Sequence, residues 1–246
     1  MSKEDITVIF NGYKRLRLLN SQWNNIAKQT VKPRDIFIWV NNADVDQTIH
    51  PSIEKHATIA RCNKNLGVWS RFFYALNCTT EYICVIDDDT FPGDMWLENC
   101  MNHITKKDGL YGSRGVIFRD KNNYRDHYDV GWTAPNEEVT QVDLVGHNWF
   151  FKKEYLTAYL RELPKDNYSI AGEDMHFSYT LQKFMNIGTY VPPHPPDNTR
   201  LWGSNHKLGW SVGTDSAAIS HTSTGLSQMQ KYFDELVDKD YKFIEA

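Results

Sequence analysis

Apolar residues gather in three short runs in the first third of the chain, Ile6 to Phe10, Ile36 to Val40 and Tyr82 to Ile86, each rich in β-branched and aromatic residues. Runs of this kind fit a pleated surface and predict strands buried as in a parallel sheet. Between the first two, Leu16, Leu19, Trp23 and Ile26 recur at helical spacing within Arg15 to Gln29. Between the second and third, Val68, Phe72, Ala75 and Leu76 do the same. Strand, helix, strand, helix, strand is the alternation of an α/β layered fold with crossover helices.

The second half is less regular. Leu110 to Phe118, Val142 to Phe151 and Ile187 to Val191 read as strands, and Lys152 to Arg161, Glu173 to Phe184 and Leu226 to Val237 as helices. From Pro192 to Ser220 the periodicity stops, and four prolines and three glycines predict a long loop over the site. Trp202 and Trp210 in that loop are placed to cover a sugar.

Open parallel sheets bind ligands beyond the carboxyl ends of their strands. The segments there are Asn11-Gly12-Tyr13-Lys14-Arg15, Asn41-Asn42-Ala43-Asp44 and Asp87-Asp88-Asp89-Thr90. The last is the most informative. Three consecutive carboxylates after a buried strand repel one another unless a cation compensates, and a hard divalent ion with oxygen ligands supplies that compensation. Strand alternation puts Asp87 and Asp89 on one side and Asp88 on the other, unless the chain has already turned. An acidic turn or helix cap is the plainer alternative.

Charge and composition narrow the class. The 246 residues carry a formal net charge of -4, which leaves no basic surplus for nucleic-acid phosphates. The charged N-terminal segment lacks a signal-peptide core, no stretch is long enough to span a bilayer, and a soluble cytoplasmic protein is the expectation. Cys62, Cys78, Cys84 and Cys100 lack metal-ligand spacing and read as buried thiols. Eight Trp and thirteen Tyr are a rich supply of rings for core packing or for stacking on sugars and bases.

The set of motifs resembles the nucleotide-sugar glycosyltransferases of the GT-A class, family-2-like and exostosin-like, including enzymes encoded by algal viruses. VIDDDT resembles their DxD motif, ITVIFNGYKR the first strand and nucleotide loop, FIWVNN the second strand, and NLGVWSRFFYAL the helix that supplies an arginine. The resemblance covers most of the chain. It implies a Rossmann-like three-layer α/β sandwich with a mostly parallel central sheet, one catalytic domain over 1–246, with a nucleotide-binding half at 1–110 and an acceptor half at 111–246. It further implies Asn11, Tyr13 and Arg15 near the nucleobase, Asn41 or Asn42 beside it, and Arg71 near base or diphosphate. Asp87 and Asp88 would face ribose and sugar, and Asp89 would hold Mn2+ or Mg2+. A late histidine ligand is also implied, for which His194, His206 and His221 are available and His221 is taken.

Gly172-Glu173-Asp174 opens a helix, where first-turn acids suit the dipole. It resembles the xED motif of the class, which makes Asp174 the catalytic base with Glu173 beside it. DLVGHNWFF resembles the acceptor loop and places His147 near the transferred sugar. The expected activity is metal-dependent transfer from a UDP-sugar to a carbohydrate acceptor, with inversion if Asp174 is the base and retention if the exostosin-like likeness prevails. A nucleotidyltransferase is the alternative enzyme, although NGYKRLR is a poor triphosphate loop, and a non-catalytic carbohydrate-binding homologue is the alternative outside catalysis.

Overall fold

The computed structural model describes residues 3–42, 48–163, 171–214, 218–219, 222–239 and 241–245. Its strands are β1 (Lys3–Gly12), β2 (Lys32–Val40), β3 (Thr58–Arg61), β4 (Tyr82–Ile86), β5 (Gly109–Phe118), β6 (His127–Gly131), β7 (Thr140–Val142), β8 (Leu144–Lys152) and β9 (Gly188–Val191). Its helices are α1 (Leu19–Ala27), α2 (Pro51–Glu54), α3 (Ser70–Tyr74), α4 (Trp96–Ile104), α5 (Leu156–Tyr159), α6 (Glu173–Met185), α7 (His206–Gly213) and α8 (Ser223–Asp238). The strands form one mixed sheet in the order β3-β2-β1-β4-β8-β5-β9-β7, with β6 on β5. Six of the nine described strands run the same way, and β6, β7 and β8 run against them.

Alternate residues of each strand feed two cores, which makes three layers. Val8, Phe10, Cys84 and Ile86 pack against Leu19 and Ile26 of α1 and Trp96, Leu97 and Cys100 of α4. Ile9, Ile83 and Val85 point to the other face, with Phe72 of α3, Phe177 and Leu181 of α6, and Phe233 of α8. Cys78, Cys84 and Cys100 are buried and Cys62 is half-buried, and all four are free thiols. No helix among the described residues is long and apolar enough to cross a membrane.

Four sequence expectations are corrected. The strand over Val142 to Phe151 is two strands, because it changes partners at Asp143: β7 pairs with β9, and β8 with β4 and β5. Asp143 is buried and its two carboxylate oxygens accept the Phe118 and Ile244 N–H groups, each at 2.8 Å. The helix over Lys152 to Arg161 is only a 3-10 turn and one α-turn, Leu156–Tyr159. Pro192 to Ser220 is not all loop, since α7 lies within it, capped by Asn205, whose side chain accepts the Leu208 N–H at 3.1 Å. Trp202 does not cover a ligand: it is buried and its indole N–H donates to the Pro195 carbonyl at 2.8 Å. The helix α4 went unpredicted, although Trp96, Leu97, Cys100 and Ile104 have helical spacing.

Candidate active site

The pairing of β1 with β4 ends at Phe10 and Ile86, so the aspartate triplet emerges beside Asn11 to Arg15. The chain turns at once, for the Thr90 N–H donates to the Asp87 carbonyl at 3.1 Å. Two glutamines on the buried stripe of α1 and just after it fix that turn. Gln22 Nε2 donates to the carbonyls of Asp87 and Thr90 at 2.6 and 2.9 Å. Gln29 donates to the Gly93 carbonyl at 2.5 Å and accepts the Leu97 N–H at 2.9 Å. Because of the turn, Asp88 and Asp89 both face one cation: Arg15 Nη1 lies 2.7 Å from Asp88 Oδ1 and 3.1 Å from Asp89 Oδ2. The Tyr13 N–H donates to Asp88 Oδ2 at 3.2 Å. Arg15 is buried, only 5% exposed, rather than solvated.

Arg71 joins the triplet to α6. Its guanidinium donates to Asp87 Oδ1 at 2.5 Å and to Glu173 Oε1 at 2.6 Å, and it stacks over Trp149 at 4.4 Å. α6 starts where it does because Gly172 has φ of +93°, and a Cβ there would stand 2.6 Å from the Tyr232 ring. Glu173 and Asp174 then occupy its first turn. Asp174 accepts the Met175 N–H on Oδ1 at 2.7 Å and, among the described residues, makes no ion pair.

Electrostatics follow from this crowding. Burial first, and the neighbouring Asp89 second, push Asp88 up to about 7. Burial raises Asp87, Glu173 and Asp174 as well, opposed at Asp87 and Glu173 by the Arg71 charge. Burial lowers His147 to about 4, so its imidazole is neutral at pH 7.

These groups line one cavity of about 570 Å3, a size ordinary for a small-ligand site. Its far side is built by Arg114, Trp132, Gly146 and His147, and α7 contributes Gly209, Trp210 and Gly213. At Gly146 a Cβ would meet nothing within 4 Å, so the wall there is open. A Cβ at Gly213 would stand 2.7 Å from Asp89 Oδ2, so α7 is seated directly on the triplet.

Residues 6–167 match the family model of glycosyl transferase family 2. The chain belongs to this family. It is a GT-A glycosyltransferase, and among solved structures it is similar to the mannosyltransferase PcManGT from Pyrobaculum calidifontis in complex with GDP-Man and Mn2+. That likeness has 17% identity and a TM-score of 0.55 over 98% of this chain and 88% of the other, and it speaks for the fold. No curated protein matches the sequence significantly.

In this glycosyltransferase, Asn11, Tyr13, Arg15, Arg71, Asp87, Asp88, Asp89, His147, Glu173 and Asp174 share the cavity. Asn41 and Asn42 are not among its lining residues. Asn41 instead accepts the Leu66 N–H at 2.8 Å and donates to Asn65 Oδ1 at 3.0 Å, shaping the loop before α3. Arg71 binds two carboxylates of its own chain, Asp87 and Glu173, while among the described residues its Nε has no hydrogen-bond partner. His221 lies outside the described residues. His194 is buried, with Nδ1 on the Pro192 carbonyl at 2.7 Å and Nε2 accepting the Gly203 N–H at 3.0 Å, so both nitrogens are engaged. His206 does not line the cavity.

Sequence reasoning passed over Gln22, Trp132, Trp149 and the α7 glycines. Gln22 alone left a signal, a polar residue at helical spacing between Leu19 and Ile26. Among the described residues no three His, Cys, Asp or Glu side chains converge as a metal cage. The donor chemistry nevertheless suits a hard cation, because adjacent carboxylates at a cavity wall raise one another's proton affinity and a divalent ion with phosphate oxygens relieves it.

Proposed function

We propose that this glycosyltransferase moves a sugar from a nucleoside diphosphate to a hydroxyl of a carbohydrate acceptor, with inversion. The observation that carries this reading is the pairing, in one cavity, of the Asp87 to Asp89 triplet with Asp174, a carboxylate that makes no ion pair among the described residues. Asp174 takes the proton of the acceptor hydroxyl as its oxygen bonds to the anomeric carbon, and the bond from that carbon to the diphosphate breaks. Glu173 is tied to Arg71 and His147 is a neutral, weak base, so neither competes for that proton. Arg71 and Glu173 hold the triplet and the first turn of α6 at a fixed separation. Asp89, with Asp88 beside it, would hold Mn2+ or Mg2+, which supplies positive charge for the leaving diphosphate. The sequence resemblance favours UDP, whereas the similar structure holds GDP-Man and Mn2+, and both nucleotides enter the test.

The test is thermal unfolding with UDP or GDP, with and without Mn2+, at about pH 6 and pH 8. Asp88 has its carboxyl raised from 3.8 to about 7, so the folded chain binds that proton more tightly than the unfolded one. The empty enzyme therefore loses stability as pH rises through this interval. A metal needs the carboxylate, so its stabilising effect grows over the same interval. At a hundredfold excess over Kd, nucleotide with Mn2+ is expected to raise Tm by about 5–10 °C at pH 8, and less at pH 6. Asp89→Ala is expected to lose the Mn2+-dependent part. A nucleotide shift indifferent to Mn2+ at both pH values would contradict the metal assignment.

A further inference from the structure

Two indoles in the cavity wall have no part in the chemistry above. Trp132, just after β6, packs its ring on His147 with centroids 4.5 Å apart and on Trp210 with centroids 6.1 Å apart. It is 7% exposed, yet among the described residues its Nε1–H has no hydrogen-bond partner. Buried indole N–H groups ordinarily find an acceptor, so this one is an unused donor on a residue of the cavity wall. Trp210 is the converse. At 59% it is the most exposed large apolar side chain among the described residues, and it stands at the same cavity.

The fold holds these rings in place. The Gly209 Cβ position lies 3.1 Å from the Asp89 carbonyl and 3.7 Å from Trp132 Cζ2, so α7 is pressed against both the triplet and the Trp132 ring. Trp210, the next residue, is thereby set at the cavity rim. On its other side Trp132 meets the Arg114 guanidinium at 5.9 Å, itself fixed by Asp129 at 2.8 Å.

We propose that Trp210 and Trp132 form a subsite for a pyranose ring of the acceptor. A pyranose has a face of C–H groups and a belt of hydroxyls. The C–H face is matched by the exposed indole of Trp210 and a hydroxyl by the orphan N–H of Trp132. The acceptor rather than the donor is assigned because Trp132, Arg114 and His147 belong to the acceptor half of the chain, 111–246, whereas Asn11 to Arg15 belong to the nucleotide-binding half; the two halves meet where the Asp87 N–H donates to the His147 carbonyl at 3.1 Å. The assignment of acceptor rests on the transferase reading; the presence of a sugar-ring platform does not.

The probes are methyl glycosides of glucose, galactose, mannose and xylose and the disaccharide maltose, with binding followed by saturation-transfer NMR in the presence of UDP or GDP and Mn2+. At least one is expected to bind the wild type. Trp210→Ala is expected to weaken it about tenfold, the scale of losing a Trp from a contact surface, and Trp210→Tyr to restore part of the loss. Trp132→Phe, which keeps a ring and removes the N–H, is expected to weaken it less. Nucleotide affinity should be the same in all variants. Trp210 is exposed, so its replacement tests the platform even if Trp132→Phe fails to fold. Binding of none of the probes to the wild type, unchanged glycoside affinity in Trp210→Ala, or a loss of nucleotide affinity in that variant would overturn the proposal. Failure of the wild type to bind nucleotide at all refutes the transferase reading instead, and the glycoside titration then still reports on the two indoles.

Discussion

Asp174→Asn is expected to lower the transfer rate by about 10²–10⁴ while donor affinity stays near that of the wild type. Asp174 caps the first turn of α6 by accepting the Met175 N–H on one oxygen, and Asn retains an oxygen for that bond together with the side-chain size. Stability should therefore move little, and the loss falls on proton removal from the acceptor. Raised proton affinity from burial makes the wild-type carboxylate a better base than a solvated one. The check is paired, with donor affinity by calorimetry and transfer by nucleoside diphosphate release over an acceptor panel. Near wild-type transfer would reduce Asp174 to a helix cap. Loss of donor binding would move it into the nucleotide site.

Arg71→Met carries the largest expected cost in stability. Arg71 is 4% exposed and compensates the half-buried carboxylate of Asp87 and the buried one of Glu173, on separate elements. Removing one partner from a buried ion pair typically costs about 3–5 kcal/mol, because the remaining charge has no compensation. For a chain of this size that corresponds to a fall in Tm of about 6–20 °C. Met keeps the apolar contact with Trp149, so the loss isolates the charge. Adding Glu173→Gln should recover part of it, since one of the two stranded carboxylates is then gone. Thermal unfolding of the single and double variants gives the answer, and a Tm unchanged in Arg71→Met would show that the pair is not a strut between triplet and helix.

β1 and β4 were legible because both of their faces are buried, which leaves an unbroken apolar run such as Tyr82 to Ile86, and β2 because its apolar run has one face buried and the other half-buried. α6 was legible from Gly172 and its acidic first turn. What the sequence hid were pairings decided by tertiary contacts. Nothing local marks Asp143 as the place where a strand changes partners, for its role depends on N–H groups far along the chain, at Phe118 and Ile244. α7 was obscured by glycines that lower helix propensity, and those glycines exist because Asp89 lies against them. The triplet and its neighbours could be named from motif order, but not that Arg71 would bridge Asp87 and Glu173, or that Asn41 would serve the loop before α3.

The most direct measurement is release of nucleoside diphosphate from a panel of UDP- and GDP-sugars by the purified protein with Mn2+, with and without glycan acceptors, repeated in EDTA and with Asp89→Ala. Turnover of at least one donor is expected, faster with an acceptor, and stopped both by EDTA and by the substitution. No turnover of any donor together with no nucleotide binding would contradict the transferase reading, and turnover unchanged by EDTA and by Asp89→Ala would show that the triplet is not where the leaving diphosphate is held.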